Sequence, residues 1–400
     1  MTDSKIRVGA VGLGRAFMLM LPTFLRDARV ELVAAADPRS EARARFADEF
    51  GARAYATVDE LCEDGAVEAV YIATPHQFHA EHAKIAAARG KHILVEKPMA
   101  LTLEECSGMI EAAKNAGVFV IVGHSHSFNA PIRKTRELIE SGAFGPVRAI
   151  TALNFTDFMY RPRRREELDT SEGGGVIFSQ AAHQLDIIRL LGGGLLRTVR
   201  AETGAWDRAR GSEGAYSALM TFENGVFASA TYSGYAHFDS DEFCGWVGEL
   251  GQSKDPSSYG AARGNLRKTH TADEEEALKV KRTYGASGVS ASEVGAGPSP
   301  AHNHFGFILV SCDRADLRPM PQGVFIYGDT DQRMELLPAP QVPRSEVIDE
   351  LHAALRDGKE PVHSGEWARA TLEACLAILQ SAREKKDVSL IHQIGLPKQN

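Results

Sequence analysis

IRVGAVGLGRAF, residues 6–17, takes a short apolar strand into Gly12-Leu13-Gly14 and then into a stretch with the composition of a helix. A strand that breaks at a Gly-x-Gly turn and opens a helix points backbone N–H groups at the positive end of the helix dipole, where a pyrophosphate can sit. Gly12 permits the tight turn, and Gly14 lets the backbone approach the phosphates. Phe17 stands at the third position of the fingerprint, where Gly or Ala is usual. Close packing of helix on strand is therefore not assured, and a glycine turn without a ligand stays open on this segment alone. The next strand, VELVAAAD, closes on Asp37, a little beyond the usual spacing of about 20 residues from the turn. A carboxylate there can accept hydrogen bonds from a ribose diol and repel a 2′-phosphate, which favours NAD over NADP. Arg39 and Ser40, just beyond Pro38, weaken that preference.

Outward from this unit, AVEAVYIATP, HILVEKP and VFVIVGH are further apolar strands. The segments around residues 15–27, 40–49, 78–89 and 103–115 read as helices between them. Strand and helix in alternation predict a parallel, doubly wound Rossmann sheet covered on both faces over residues 1–125. From about 147 the texture changes to longer two-faced strands (VRAITALNFTDF, LRTVRAETGAW, YSALMTFENGVFASATYSG), as in a mostly antiparallel open sheet. Residues 126–400 are expected to form an α+β domain for substrate binding and oligomerisation. In it, 344–385 supplies two helices that pack back on the core. A polar stretch, about 240–303, is long for a structureless loop and is expected to be either an ordered insertion near the site or an oligomer contact.

Composition excludes several classes. Hydrophobic residues at 44% and charged ones at 24% suit a large soluble core, and a net charge of −8 argues against nucleic-acid or anionic-membrane surfaces. Five scattered cysteines, without a Cys-x-x-Cys pair, suggest neither a disulfide framework nor a zinc knuckle. There is no room for a signal peptide before the first strand, and no run of about 18 apolar residues. A cytoplasmic protein with a small-molecule substrate is expected.

The chemistry gathers on two further segments. VEKP, residues 95–98, ends a strand in Glu96 and Lys97, and a lysine at the carboxyl end of a parallel strand enters the crevice where such sheets bind ligands. Partial burial would lower its pKa toward a useful range; a lysine reaching solvent is the plainer alternative. GGGVIFSQAAHQLD, residues 173–186, would place Ser179, His183 and Asp186 on one face if 177–191 is a helix. His183 is then a base tuned near neutral pH, or else a core histidine. Between them YRPRRREELD, residues 160–169, crowds Arg161, Arg163, Arg164 and Arg165 together. Guanidinium forks bind carboxylates bidentately, although most of these arginines suit a solvated run paired with Glu166, Glu167 and Asp169. His76, His79, His82, His124 and His126 lack a carboxylate or cysteine to complete a ligand set, so no metal is expected.

The glycine turn, ATPHQFHAEHA (73–83), VEKP and GGGVIFSQAAHQLD occur in an order that resembles the glucose-fructose oxidoreductase/inositol dehydrogenase (Gfo/Idh/MocA) family. Within that family the chain is most similar to phthalate 4,5-cis-dihydrodiol dehydrogenases, through GGGVIFSQAAHQLDIIRLLGGG and the arginines before it. The resemblance implies an NAD-dependent dehydrogenase with Lys97 and His183 as catalytic residues. It implies cofactor contacts from Gly12, Gly14, Arg15, Ala16, Asp37, Arg39, Thr74, Pro75, His79, Glu96 and Lys97, and substrate contacts from His126, Arg161, Arg163, Arg164, Ser179 and His183. Homodimers or homotetramers are expected. Many polyol-oxidising relatives carry Asp where this chain has Ser179. A substrate with two carboxylates would suit the arginines and make a further Asp repulsive, so a cyclic cis-diol such as phthalate 4,5-cis-dihydrodiol is favoured. The alternatives are a sugar or inositol dehydrogenase and a dinucleotide-binding regulator without turnover.

Overall fold

The computed structural model describes residues 5–286, 288, 290 and 300–397. Part of the expected insertion, residues 291–299, lies outside them. The chain divides into two compact units: Met1–His124 with Glu276–Pro298 and Val342–Arg369, and Ser125–Glu275 with Ser299–Gln341 and Ala370–Asn400.

In the first unit β1 (Ile6–Val11), α1 (Arg15–Arg26), β2 (Val30–Ala36), α2 (Ser40–Phe50), β3 (Arg53–Tyr55), α3 (Val58–Glu63), β4 (Ala69–Ile72), α4 (His79–Ala88), β5 (His92–Val95), α5 (Leu103–Ala116) and β6 (Val120–Val122) follow one another. The strands form a parallel sheet in the order β3-β2-β1-β4-β5-β6. The order reverses between β1 and β4, which opens a crevice at the carboxyl ends of the strands. Strand centres are buried from both faces, as continuous apolar runs require, and the helices have local reasons to start and stop. Thr57 with Glu60 and Thr102 with Glu105 form capping boxes at α3 and α5, and Gly117 ends α5 in a left-handed conformation. In α1, Phe17, Met20, Leu21 and Phe24 bury one face at helical spacing.

The second unit is built on a nine-stranded sheet. After α6 (Ala130–Glu140) come β7 (Val147–Phe155), α7 (Ala182–Gly192), β8 (Leu196–Gly204), β9 (Ala215–Phe222), β10 (Phe227–Ser233), α8 (Ala261–Leu266), α9 (Ala272–Val280), β11 (Phe307–Cys312), β12 (Ala315–Met320), β13 (Gly323–Gly328) and β14 (Gln332–Leu336). Of the two expected C-terminal helices, α10 (Ser345–Asp357) belongs to the first unit and not to the second, and α11 (Gly365–Glu384) and the short β15 (Val388–Ser389) complete the chain. The sheet order is β14-β13-β12-β11-β7-β10-β9-β8-β15, antiparallel except for the β7–β10 pair. β9 and β10 alternate buried and exposed residues, so one face meets the core. The buried α7 packs over this sheet with every residue from Ala182 to Gly192 buried.

One expectation needs correcting. Residues 177–191 are not one α-helix: Ile177–Ala181 form a π-helical turn before α7. The wider turn breaks the i, i+4 register between Ser179 and His183, and the Ser179 hydroxyl donates back to the Gly175 carbonyl. Among the described residues no helix is long and apolar enough to cross a membrane.

Candidate active site

The first unit presents a cradle at the reversal of its sheet. Gly12 has φ +89°, and a Cβ there would stand 2.9 Å from Thr74 Cγ2 and 3.0 Å from the Ala73 carbonyl. Both conformation and space therefore require glycine. Gly14 differs, since a Cβ on it would meet only the Ala73 oxygen at 3.8 Å. Protein packing does not demand that glycine, but a ligand approaching the start of α1 would. Gly12→Ala is expected to cost about 1–3 kcal/mol in stability and to abolish measurable NAD⁺ binding. Thermal unfolding together with calorimetric titration checks both.

Asp37, buried at the end of β2, accepts from Leu13 N (2.8 Å) and Arg39 N (2.9 Å), and from Arg39 Nε and Nη2 at 2.9 and 3.0 Å. The carboxylate thus braces the glycine turn and holds Arg39 by its fork. At the helix start, burial and the nearby Arg282 and Arg344 charges lower the pKa of Arg15, which makes this a place suited to an anion. Asp37→Ala is expected to narrow the preference for NAD⁺ over NADP⁺ by at least about tenfold, because it removes a like charge from the 2′-phosphate. Dissociation constants for the two dinucleotides measure it.

At β5 the segment leaves the sheet as expected. Glu96 is buried and accepts from the Tyr71 hydroxyl (2.7 Å), and burial raises its pKa against the opposing influence of that bond, Arg344 and Lys97. Lys97 is half-buried, and the Lys97–Pro98 peptide is cis. His79 is fully buried, with Nδ1 2.9 Å from the Pro98 carbonyl and Nε2 2.9 Å from the Thr74 carbonyl. Its ring ties the two loops together, so its position is a brace, with burial lowering its pKa. His82 reaches the Thr74 hydroxyl through Nδ1 at 3.1 Å. Among the described residues no group of three His, Cys, Asp or Glu is arranged to hold a metal.

In the second unit, α7 carries His183 to a ring-centroid distance of 4.7 Å from His126, edge to face, and Phe305 lies against both, at 5.2 and 5.0 Å. Asn129 Nδ2 donates to the Asn303 carbonyl (3.0 Å), which fixes the orientation of its amide. The same nitrogen lies 2.9 Å from His126 Nδ1, so that ring nitrogen accepts and the proton of a neutral His126 sits on Nε2. Nε2 faces Glu249 at 3.6 Å. Glu249 in turn stands 3.9 Å from Arg161 Nη1, and Arg161 Nε bonds Asp157 at 3.0 Å. Burial works against the Arg161 charge, but Glu249 and Asp157 more than offset it and raise its pKa.

The four arginines separate. Arg163 lies 3.5 Å over the Phe158 ring and donates to the Phe158 carbonyl at 2.8 Å, with burial lowering its pKa to about 10. Arg164 pairs with Glu166 and Glu167, and the exposed Arg165 with Asp273. The partners of Arg161 include Glu249, the carboxylate beside His126. Asp186 turns inward to Ser127 and to Thr371 Oγ1 (2.9 Å), which also accepts from the buried Arg189 at 2.7 Å. Its carboxylate anchors α7. The residues that sequence reasoning passed over are Tyr71, Asn129, Glu249 and Phe305. Glu249 and Phe305 lie in or next to the stretch without periodicity, and nothing local marks them.

A glycine turn at the reversal point of a parallel sheet, an acid after β2 and a lysine after β5 define a dinucleotide-dependent oxidoreductase. The chain belongs to the Gfo/Idh/MocA family: residues 6–124 match its NAD-binding Rossmann-fold oxidoreductase domain and residues 132–253 its C-terminal domain. It is 50% identical over 381 residues to the 1-carboxy-3-chloro-3,4-dihydroxycyclohexa-1,5-diene dehydrogenase of Comamonas testosteroni, covering 94% of this chain and 95% of that one. A crystal structure of a protein from Bordetella bronchiseptica RB50 matches 96% of this chain and 100% of its own at 41% identity and a TM-score of 0.91. The fold alone is shared with the WlbA dehydrogenase of Bordetella pertussis in complex with NADH and UDP-GlcNAcA, at 22% identity and a TM-score of 0.68, over 97% and 99% of the two chains.

Proposed function

We propose that the protein is an NAD-dependent dehydrogenase of ring-carboxylated cyclic cis-dihydrodiols in aromatic catabolism, with phthalate 4,5-cis-dihydrodiol the best single candidate. The observation that carries this reading is Arg161, a guanidinium whose partner Glu249 faces the His126–His183 pair. Bound NAD⁺ would accept the hydride from the carbinol carbon. Lys97 and His183 share removal of the hydroxyl proton, with Glu96 and Tyr71 setting the charge around Lys97. The resulting hydroxy-ketone tautomerises to a catechol, and aromatisation drives the sequence, so the residues need to position and to supply a modest base. Ser179, with its hydroxyl turned to Gly175, adds no negative charge, which suits an anionic substrate better than a polyol.

A second reading has one observation in its favour. Arg161 of the four clustered arginines is tied to the carboxylate beside the histidines, and the name of the Comamonas relative carries a single carboxyl group. A monocarboxylated diol is therefore the second substrate to try. We place the protein in the cytoplasm and expect a dimer or tetramer, supported by the half-exposed Leu219 and Phe227 on the outer face of β9 and β10.

Purified protein is incubated with NAD⁺ and, in turn, the phthalate diol, a monocarboxylated diol, an uncharged cis-diol and an inositol, and NADH absorbance is followed. The carboxylated diols are expected to give the highest kcat/KM. Inositol as the best substrate would return the chain to the polyol dehydrogenases. NAD⁺ binding without turnover of any diol would make it a regulator.

A further inference from the structure

The third fingerprint position, Phe17, and the arginine after Asp37 find a common explanation in the polar insertion. The turn that follows α9 brings Tyr284 into the first unit, where it is fully buried. Its ring meets Phe17 edge-on at 5.5 Å and lies 6.4 Å from both Phe46 and Phe50. Arg45 covers the ring at 5.3 Å, and the hydroxyl donates to Glu49 at 2.7 Å. The Tyr284 N–H donates to the Leu13 carbonyl at 3.1 Å. Leu13 lies between the two cradle glycines, and its own N–H is held by Asp37. Leu13, the middle residue of the glycine turn, is thereby held at both its N–H and its carbonyl, and the second hold comes from the insertion.

Arg39 completes the arrangement. A guanidinium has five N–H donors. Nε and one Nη2 proton go to Asp37, the other Nη2 proton goes to the Leu13 carbonyl (2.9 Å), and Nη1 donates to Thr283 Oγ1 (2.9 Å) and the Tyr284 carbonyl (3.3 Å). Those five bonds use every donor, two of them on the turn. With its charge neutralised by Asp37 and its fork committed, Arg39 has nothing to offer a 2′-phosphate.

We propose that the turn Arg282–Tyr284 is a cofactor-specificity element, which by tying Arg39 to Asp37 and bracing the glycine turn excludes the 2′-phosphate of NADP. The proposal rests on the cofactor reading alone, whatever the substrate. Arg282 adds a positive charge beside Arg15 at the start of α1, so the same turn that withholds Arg39 contributes to the field at the pyrophosphate position.

The test is calorimetric titration of the full chain with NAD⁺ and NADP⁺, read as the ratio of the two dissociation constants. Thr283→Val removes one donor's partner with little change of shape and should narrow the ratio about threefold. Tyr284→Ala undocks the turn and should narrow it about tenfold, the scale of one lost hydrogen bond to a charged group. Adding Arg39→Ala to either variant should restore the wide ratio, because the freed guanidinium is what receives the phosphate. Should Tyr284→Ala fail to fold, Thr283→Val with and without Arg39→Ala decides the matter. NAD⁺ binding with an unchanged ratio in the turn variants overturns the proposal alone, as does a narrowing that persists without Arg39. Wild-type protein that binds neither dinucleotide overturns it together with the cofactor reading.

Discussion

Lys97→Met is expected to lower kcat for the carboxylated diol by about 10²- to 10⁴-fold, the usual scale for a positioned acid or base, while the dissociation constant for NAD⁺ changes little. Methionine matches the length of the lysine stem, and Lys97 is half-buried at a strand end whose backbone is fixed by its neighbours, so folding should be spared. His183→Ala should give a loss of similar size. If the two side chains share one proton transfer, as we propose, the double variant loses far less than the product of the single losses. Steady-state kinetics of the four proteins provide the test. Fully multiplicative losses would show that the residues act independently, and an unchanged kcat in Lys97→Met would remove the lysine from the mechanism.

Arg161→Ala is expected to raise KM for a ring-carboxylated diol by about 10- to 100-fold, since a charge-assisted hydrogen bond contributes roughly 1.5–3 kcal/mol. Arg161→Lys should recover only part of this, because an ammonium lacks the planar fork. An uncharged cis-diol should show little change, and added salt should weaken the preference for the carboxylated substrate. The neighbouring arginines serve as controls of different kinds. Arg164→Ala and Arg165→Ala should leave KM unchanged, since their carboxylate partners are Glu166, Glu167 and Asp273 and not the Glu249 that stands beside His126. Arg163→Ala should instead lower the melting temperature through loss of its stacking on Phe158. An unchanged KM in Arg161→Ala would end the case for a carboxylate subsite there.

Both experiments probe parts of the protein that were unequally legible. Local pattern announces the first unit, because each element there is specified by residues close in sequence. β-Branched runs make strands, capping boxes at Thr57 and Thr102 open helices, and a glycine turn can lie only where the backbone requires it. Lys97 was legible for the same reason, as a charge where an apolar strand should simply end. The second unit yielded its sheet through alternation, but its site less fully. The π-helical turn at Ile177–Ala181 overrode the helical spacing of Ser179, and the four arginines are indistinguishable as a string.

What the sequence by itself determined is therefore the fold of each unit, the dinucleotide cradle and the identity of the charged groups on offer. Only the tertiary structure decided how those groups are used. It drew Asp186 into a buried network, stacked Arg163 on Phe158, set Glu249 beside His126, and returned Tyr284 to Phe17 across more than half the chain. The physical reason is that backbone propensity and hydrophobic period act over a few residues, whereas a guanidinium or carboxylate takes its role from whichever partner folding brings within about 3–4 Å. That choice is settled by packing between segments distant in sequence.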